Sequence, residues 1–529
     1  MGWSNAFLTE INSPTRSPVW ALETIRLLSG GVGGSRDYAS HTVVGSGYSA
    51  RLKIGSVRTG GARLNPLSWT STQGAFTVEL FGDISDILFY LTKGSAVRLM
   101  LGFEGWDPSQ FQPVGLGVVK NVRGKAPKWT LECWDLIQAM QTRLASDPDK
   151  LELFYGLGTT TTITNPYTTA HTELLVVATA DFGIEEPAVG NAYGAIFVDP
   201  VSLGADPFYL EYDSTTSTKF DELTSRDILG TSPVGFAAAT LEDLVYEIAY
   251  IKGHPIDSIA KILTSTGVTG FNGDFDSLPV SWGYGLPDYL VDFDDMERAK
   301  SGILVAGAVD YEFTMVSHEP QSNGLQWIQS QLAGAGIFLT QRQGHLTARV
   351  VQDPNGFETE PVVSGIEIGD SDIMDVVYEA WDSQQAAEYE TWSLGIHGTP
   401  SVGTYSESDY TGEDGIGTLP VGALYESFAA IDTDHDNALD MILEISKRIK
   451  WWYWRIAERL TLTCAGLRLA QLCPGDIVTI TSDVLYGRSE AKRAELGFNG
   501  RRAMVYGVDP DWIGGTVTVI LAILPDYGD

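Results

Sequence analysis

Carboxylates recur at metal-ligand spacing in one stretch of this chain, DTDHDNALDMILE (Asp432 to Glu444). Asp432, Asp434, Asp436 and Asp440 fall at positions 1, 3, 5 and 9 of a calcium loop, where alternate residues turn hard oxygen ligands toward one cation. The match is partial. Asn437 stands where the sharp turn wants glycine, Leu443 stands where a bidentate Glu is needed, and Glu444 comes one residue late. The competing explanation is an acidic cap on the helix that follows, where Asp accepts from free backbone N–H groups and is stabilised by the helix dipole. The cap accounts for more of the residues, so no metal or other cofactor is expected.

Other chemistries find less support. Ser46 in VVGSGYS lacks the glycine two residues before it that a nucleophile elbow requires. The seven histidines are dispersed, without a paired i, i+4 ligand set. GGVGGS (Gly30 to Ser35) lacks the Lys and Ser/Thr of a phosphate-binding loop and is read as a turn. With 68 acidic residues, carboxylate pairs of the kind used on glycosides arise by chance. The expectation is a chain without enzymatic activity, the alternative being a virion-borne or secreted glycan-active β protein with catalytic carboxylates and Trp platforms.

KRIKWWYWRIAERL (Lys447 to Leu460) is the densest aromatic and basic patch. Trp451, Trp452, Trp454 and Arg455 are candidates for an interface, since Trp and Arg anchor contacts. The same residues are also explained as a helix end running into a strand, with Trp452 and Trp454 buried by alternation and Lys447, Arg448 and Lys450 favoured by the helix C-terminus.

The elements that would position such residues are mostly strands. At 529 residues the chain exceeds one core and should hold about three or four domains. Its 34 basic and 68 acidic residues give a net charge of −34, which disfavours general nucleic-acid or anionic-membrane binding. Solubility explains that charge simply; a lumen or surface that repels DNA explains it more sharply. Cys133, Cys464 and Cys473 form no CxxC and sit in or beside apolar strands, so buried free thiols suited to a reducing cytoplasm are expected. MGWSNAFLTEINSP has neither a basic nor an apolar secretion region, Ala6 breaks the myristoylation pattern, and no apolar run is long enough to span a membrane; no membrane anchor is expected.

The periodicities predict a β-rich α+β multidomain chain with two tube-like antiparallel β-barrel modules and inserted β and α+β domains. Residues 1–150 form the first barrel module, closed by a short helix over Trp134 to Leu144. Residues 151–235 form a Thr/Ser-rich β insertion. Residues 236–355 form an α+β domain, with helices over TLEDLVYEIAYI (Thr240 to Ile251), His254 to Gly267, Asp294 to Ser301 and Gly324 to Gly336, and a hairpin turning at Arg342-Gln343-Gly344-His345. Residues 356–529 form the second barrel module, with a long helix at 436–451.

A three-strand block occurs twice. KGSAVRLMLG with PVGLGVVKNVRGKAPKWTLEC runs from Lys93 to Cys133, and CPGDIVTITSD with RRAMVYGVDPDWIGGTVTVIL from Cys473 to Leu521. Each opens at a turn, marked by Gly94 in one copy and Gly475 and Asp476 in the other. Period-two runs follow, with a Trp near the last turn, as in half-buried antiparallel strands.

The run HPIDSIAKILTSTGVTGFNGDFDSLPVSWGYGLPDYLVD and the closing run LTCAGLRLAQLCPGDIVTITSD with GRRAMVYGVDPDWIGGTVTVIL resemble tail hub proteins of tailed bacteriophages, relatives of the baseplate hub of contractile tails. The likeness covers Gly253 to the C-terminus well and residues 20–145 more loosely. It implies a homotrimer at the tail tip of a virion, assembled in the host cytoplasm, whose paired barrels imitate sixfold symmetry. The implied partners are tail-tube or distal tail protein rings, the tape measure protein, and tail fibre or spike proteins. DNA would pass through the channel without specific binding, and cell-wall hydrolysis or receptor binding would sit on other proteins. A related injection machine of bacterial origin has the same implied fold.

Overall fold

The computed structural model describes, with short internal breaks, residues 3–25, 37–83, 91–140, 160–179, 194–199, 208–223, 244–264, 284–301, 313–317, 323–356, 361–380, 389–406, 417–419, 458–488 and 494–523. The expected long helix at 436–451 lies outside them.

Helix α1 (Asn5–Ile11), capped by Ser4, precedes the strands β1 (Pro18–Ile25), β2 (Tyr38–Ala39), β3 (Ser49–Ala50), β4 (Arg58–Thr59), β5 (Ala62–Asn65), β6 (Thr70–Thr72), β7 (Phe76–Phe81), β8 (Ala96–Phe103), β9 (Gln112–Lys125) and β10 (Lys128–Asp135). Eight of these make one sheet in the order β3-β2-β1-β8-β9-β10-β7-β4. Alternation sets the faces: Phe76, Val78 and Leu80 turn inward, as do Val97, Leu99 and Leu101. Residues 51–53 then bond to both ends of the order. The Leu52 N–H donates to Ala39 O beside β1 (2.9 Å), while Lys53 N–H donates to Glu79 O (2.8 Å) and Phe81 N–H to Arg51 O (2.7 Å) on β7. The sheet is therefore curled on itself. Its closing helix, α2 (Leu136–Ala139), starts later than expected, because Trp134 and Asp135 stay in β10 and the Asp135 carboxylate accepts from Ile137 N–H (2.9 Å).

Next come β11 (Thr160–Thr162), β12 (Glu173–Leu175), β13 (Gly194–Asp199), β14 (Phe208–Tyr212), β15 (Ser214–Thr216), β16 (Lys219–Asp221) and β17 (Leu244–Glu247). They form the sheets β11-β17-β13-β14 and β12-β16-β15 around a separate core that includes Tyr167, Ile196, Phe208, Tyr212, Phe220 and Val245. The helix expected over Thr240 to Ile251 is not formed: Leu244–Glu247 is β17, and Ala249–Gly253 is β18, paired with β19 (Phe313–Ser317). Leu, Val, Tyr and Ile here satisfy a period of two as well as a helical one. Pairing on both sides of β17, with Val245 fully buried, overrides the helical propensity of the charged residues.

Helices α3 (Pro255–Thr264), α4 (Phe293–Ser301) and α5 (Gly324–Ala333) form close to where their patterns placed them, followed by the hairpin β20 (Ile337–Arg342) and β21 (His345–Val350). Asp292 caps α4 by accepting from Asp295 N–H (3.1 Å), and Asp294 and Asp295 favour its N-terminal dipole.

The rest of the chain supplies β22 (Val363–Gly369), β23 (Ile373–Ala380), the three-stranded set β24 (Tyr389–Ile396), β25 (Thr399–Ser406) and β26 (Gly417–Leu419), and then β27 (Glu458–Ala465), β28 (Ile477–Arg488), β29 (Ala494–Asp511) and β30 (Thr516–Ile523). The second large sheet runs β22-β28-β29-β30-β27-β23. Its two outermost strands are joined by the short turn Gly369 to Ile373, and the Tyr378 hydroxyl of β23 accepts from Tyr486 N–H of β28 (2.8 Å). This sheet is also curled, its edges drawn together.

The two sheets share a topology. β7 precedes the meander β8-β9-β10 and returns beside β10; β27 precedes β28-β29-β30 and returns beside β30. Each is a Greek-key order. The flanking strand differs, since β1 lies antiparallel to β8 while β22 lies parallel to β28. One hydrophobic core runs through both sheets. The chain crosses between them at Gly60: a Cβ on Gly74 would stand 2.0 Å from Gly60 Cα, so neither position holds a side chain. β5 then pairs with β29 (Arg63 with Gly507, Ala62 with Val508), and Trp512 Nε1 donates to Thr59 Oγ1 (2.8 Å).

Candidate functional site

The β20–β21 hairpin joins the parts of this molecule. Every residue of β20 is buried, and the strand packs against β6, β9, β21 and α5. Ser71 Oγ on β6 donates to Thr340 Oγ1 (3.1 Å), and Gln341 Nε2 donates to the Asp135 carboxylate at the end of β10. At its turn, Gly344 stands against Pro113 of β9, 2.7 Å from where a Cβ would lie.

Beneath the hairpin lies a buried ion cluster. Asp295 of α4 is 1% exposed at its side chain and meets Arg349 Nε at 2.7 Å, Arg298 Nη2 at 3.2 Å and the Arg342 guanidinium. Thr347 Oγ1 donates to the same carboxylate (3.0 Å). Arg349 Nη2 reaches on to Asp476 Oδ1 at 2.9 Å, in the turn that opens β28. The Arg349 N–H bonds do not lie along these contacts, which makes them charge contacts with poor hydrogen-bond geometry. Burial alone would raise the Asp295 carboxyl; Arg349, Arg342 and Arg298, with the Thr347 hydroxyl, outweigh it and hold the group below its ordinary range. Burial opposes the Arg349 charge, but Asp476 and Asp295 push its pKa up. The Cys473 thiol beside them is buried, and burial pushes its pKa up. The cluster's chemistry is that of a lock: its ions face one another, and the contacts of Arg342 and Arg349 join α4, the hairpin and the turn before β28.

The turn residues expected to open the second block sit at this lock. Gly475 has φ +89°, and a Cβ there would lie 2.7 Å from Phe338 Cζ of β20. Its N–H donates to Val505 O (2.8 Å), while Asp476 Oδ2 accepts from Cys473 N–H (2.9 Å). The PGD sequence thus supplies both a left-handed turn and a charge for Arg349. Gly94, the interface candidates Trp451, Trp452, Trp454 and Arg455, and the carboxylates Asp432, Asp434, Asp436 and Asp440 lie outside the described residues. Among the described residues no group of three or more His, Cys, Asp or Glu side chains could hold a metal ion, and no helix is long and apolar enough to cross a membrane.

Sequence reasoning missed Asp295, Arg342 and Arg349. The available signal was two arginines among the alternating apolar residues of one hairpin in a cation-poor chain, since buried cations need paired carboxylates.

No family model matches the chain, and no curated protein is similar to it in sequence. Among solved structures, a 43 kDa tail protein of prophage MuSo2 from Shewanella oneidensis aligns over 97% of this chain and 100% of its own, with 11% identity and a TM-score of 0.36. A chain of the PdpA–VgrG complex aligns over 97% of this chain and 67% of its own, with 8% identity and a TM-score of 0.34. A chain of a native gene transfer agent virion aligns over 46% of this chain and 84% of its own, with 14% identity and a TM-score of 0.20. All three scores are low, so the functional reading rests on the chain's own strand order.

Proposed function

We propose that this chain is a structural component of a phage-type tail, acting as the hub of the tail tip. The observation that carries the proposal is the repeated Greek-key order of the two curled sheets, β8-β9-β10-β7 and β28-β29-β30-β27, within one chain. Each sheet acts as one barrel of a tube wall. A homotrimer then presents six near-equivalent barrels to hexameric rings of tail-tube or distal tail protein, while its threefold face receives fibre or spike proteins. The tape measure protein and then the DNA pass through the centre, and the net charge of −34 lets DNA slide without adhering. The resemblance of the closing run to tail hub proteins supports the same assignment. The protein catalyses no reaction in this role.

Light scattering of the full chain, with averaged images of the particle, tests the proposal. A trimeric ring with threefold or pseudo-sixfold symmetry is expected. A chain that stays monomeric, alone and with its tail partners, overturns it.

A further inference from the structure

Exposed apolar side chains are concentrated on three strands of the second sheet. Of the ten large hydrophobic residues that stand exposed among the described residues, Val362, Met374, Val377, Tyr378, Val484 and Tyr486 lie on or beside β22, β23 and β28. Met374 is 63% exposed and Val484 59%. Among the described residues β23 pairs along its length with β27 alone, and the Tyr378 hydroxyl bridges from it to Tyr486 of β28 beside this apolar surface. Glu367, Asp370, Asp375 and Asp483 are exposed here; of the neighbouring cations, Arg468 is held by Asp372 (3.0 Å), and Arg501 and Arg502 lie on β29 opposite Ile480 and Thr479.

The first sheet carries the opposite charge. Lys53, Arg123, Lys125 and Lys128 gather at the β9–β10 hairpin end, against the carboxylates Glu79 and Glu132, in a chain of net −34. Lys125 and Lys128 are direct cross-strand partners, and like charges placed opposite each other destabilise a hairpin. Phe81, also exposed, pairs with Lys128 from β7. This end therefore offers a mixed basic and apolar surface, held against its own repulsion.

The basic end of β9 and the far end of β28 lie away from the junction between the sheets. β9 starts against the β20–β21 turn at Pro113 and carries its basic residues near its far end, about 30 Å away at strand rise. β29 meets β5 at Gly507 and Val508, while its pairing with the exposed end of β28 lies about ten residues earlier, again about 30 Å away.

We propose that the surface formed by β23 and the far end of β28, bridged at Tyr378 and Tyr486, docks the basic β9–β10 hairpin of a second copy of this chain. The proposal rests on the trimeric reading above and names its contact: a heterologous, head-to-tail interface that closes after three copies. The apolar strip supplies the buried centre, and the opposed charges supply register and orientation.

Sedimentation of the full chain over a concentration series, at low and high salt, tests this. Lys125→Glu with Lys128→Glu, and separately Asp375→Lys with Asp483→Lys, should each weaken association by at least about tenfold, because like charges then face each other. The four changes together should restore most of it, and high salt should weaken the wild type. A wild-type trimer unaffected by either pair overturns this contact while leaving the hub reading standing; a wild type that is always monomeric overturns both. If the Lys125→Glu, Lys128→Glu pair instead loses binding to duplex DNA with its oligomer unchanged, the hairpin is a nucleic-acid surface and the proposal fails.

Discussion

Replacing Asp295 by Asn tests whether the ion cluster locks the β20–β21 hairpin beneath the two sheets. Asn keeps the size of the side chain and removes its charge. Arg342 and Arg349, at 9% and 12% side-chain exposure, are then left with only Asp476 for balance. Leaving a buried charge unpaired costs about 3–5 kcal/mol. The Asp292 cap on α4 uses the Asp295 backbone and survives, so helix loss adds nothing to this figure. Urea unfolding followed by tryptophan fluorescence is a suitable assay. With a slope of about 3 kcal/mol per molar, the midpoint should fall by about 1 M or more. Arg298→Ala is the control: that side chain is 50% exposed, and solvent screening limits its pair to below about 1 kcal/mol. The pH dependence supplies a second check. The folded carboxyl is held below its ordinary range, so the unfolded chain takes up this proton first as the pH falls. The contribution of Asp295 is whole at neutral pH and is lost as the pH drops from the ordinary carboxylate range through the lower folded value. Asp295→Asn should flatten that acid limb. A variant within about 0.5 kcal/mol of wild type, with the acid limb unchanged, would refute the lock.

Further outcomes follow from single residues. Gly475→Ala should destabilise by roughly 2 kcal/mol or more, since it combines a left-handed φ of +89° with a Cβ 2.7 Å from Phe338. Gly55→Ala, at φ +70° with open space around its Cβ, should cost only about 1 kcal/mol in the same urea titration. Cys133, Cys464 and Cys473 are buried, and burial pushes Cys464 up to about 12 and raises the other two thiols as well. A thiol reagent at neutral pH should label none of them in the native protein and all three after unfolding. Burial first, and the Arg98 charge second, lower the His345 pKa. The unfolded chain therefore binds that proton first, and stability should fall as the pH drops below the ordinary imidazole range, a slope that His345→Asn removes.

The fold was legible where one periodicity stood alone. Val97, Leu99 and Leu101 alternate cleanly, and their strand formed; Pro255 and the apolar spacing after it specified α3. Leu244 to Ile251 fitted two periods at once, and neighbours distant in sequence chose between them. The repeated block was legible as strands and turns, and its Trp residues did pack near the last turns. Their partners were not legible: Trp129 Nε1 donates to Gly82 O within its own sheet, while Trp512 Nε1 reaches across to Thr59. The ion lock was illegible for a similar reason. Asp295, Arg349 and Asp476 come from three separate segments, and no local pattern encodes their meeting.

What the sequence determined by itself was local: which stretches alternate, where glycine permits a turn, that the thiols would be buried, and that one three-strand block is repeated. Those properties depend on side-chain type and on spacing along one segment. The tertiary structure decided what lies between segments. It curled each sheet until residues 51–53 could bond to both ends of the first and Tyr378 could reach Tyr486 in the second. It also set three charges from distant segments into one buried cluster. Such contacts are fixed by the closing of long loops and the filling of a common core, and these are properties of the whole chain.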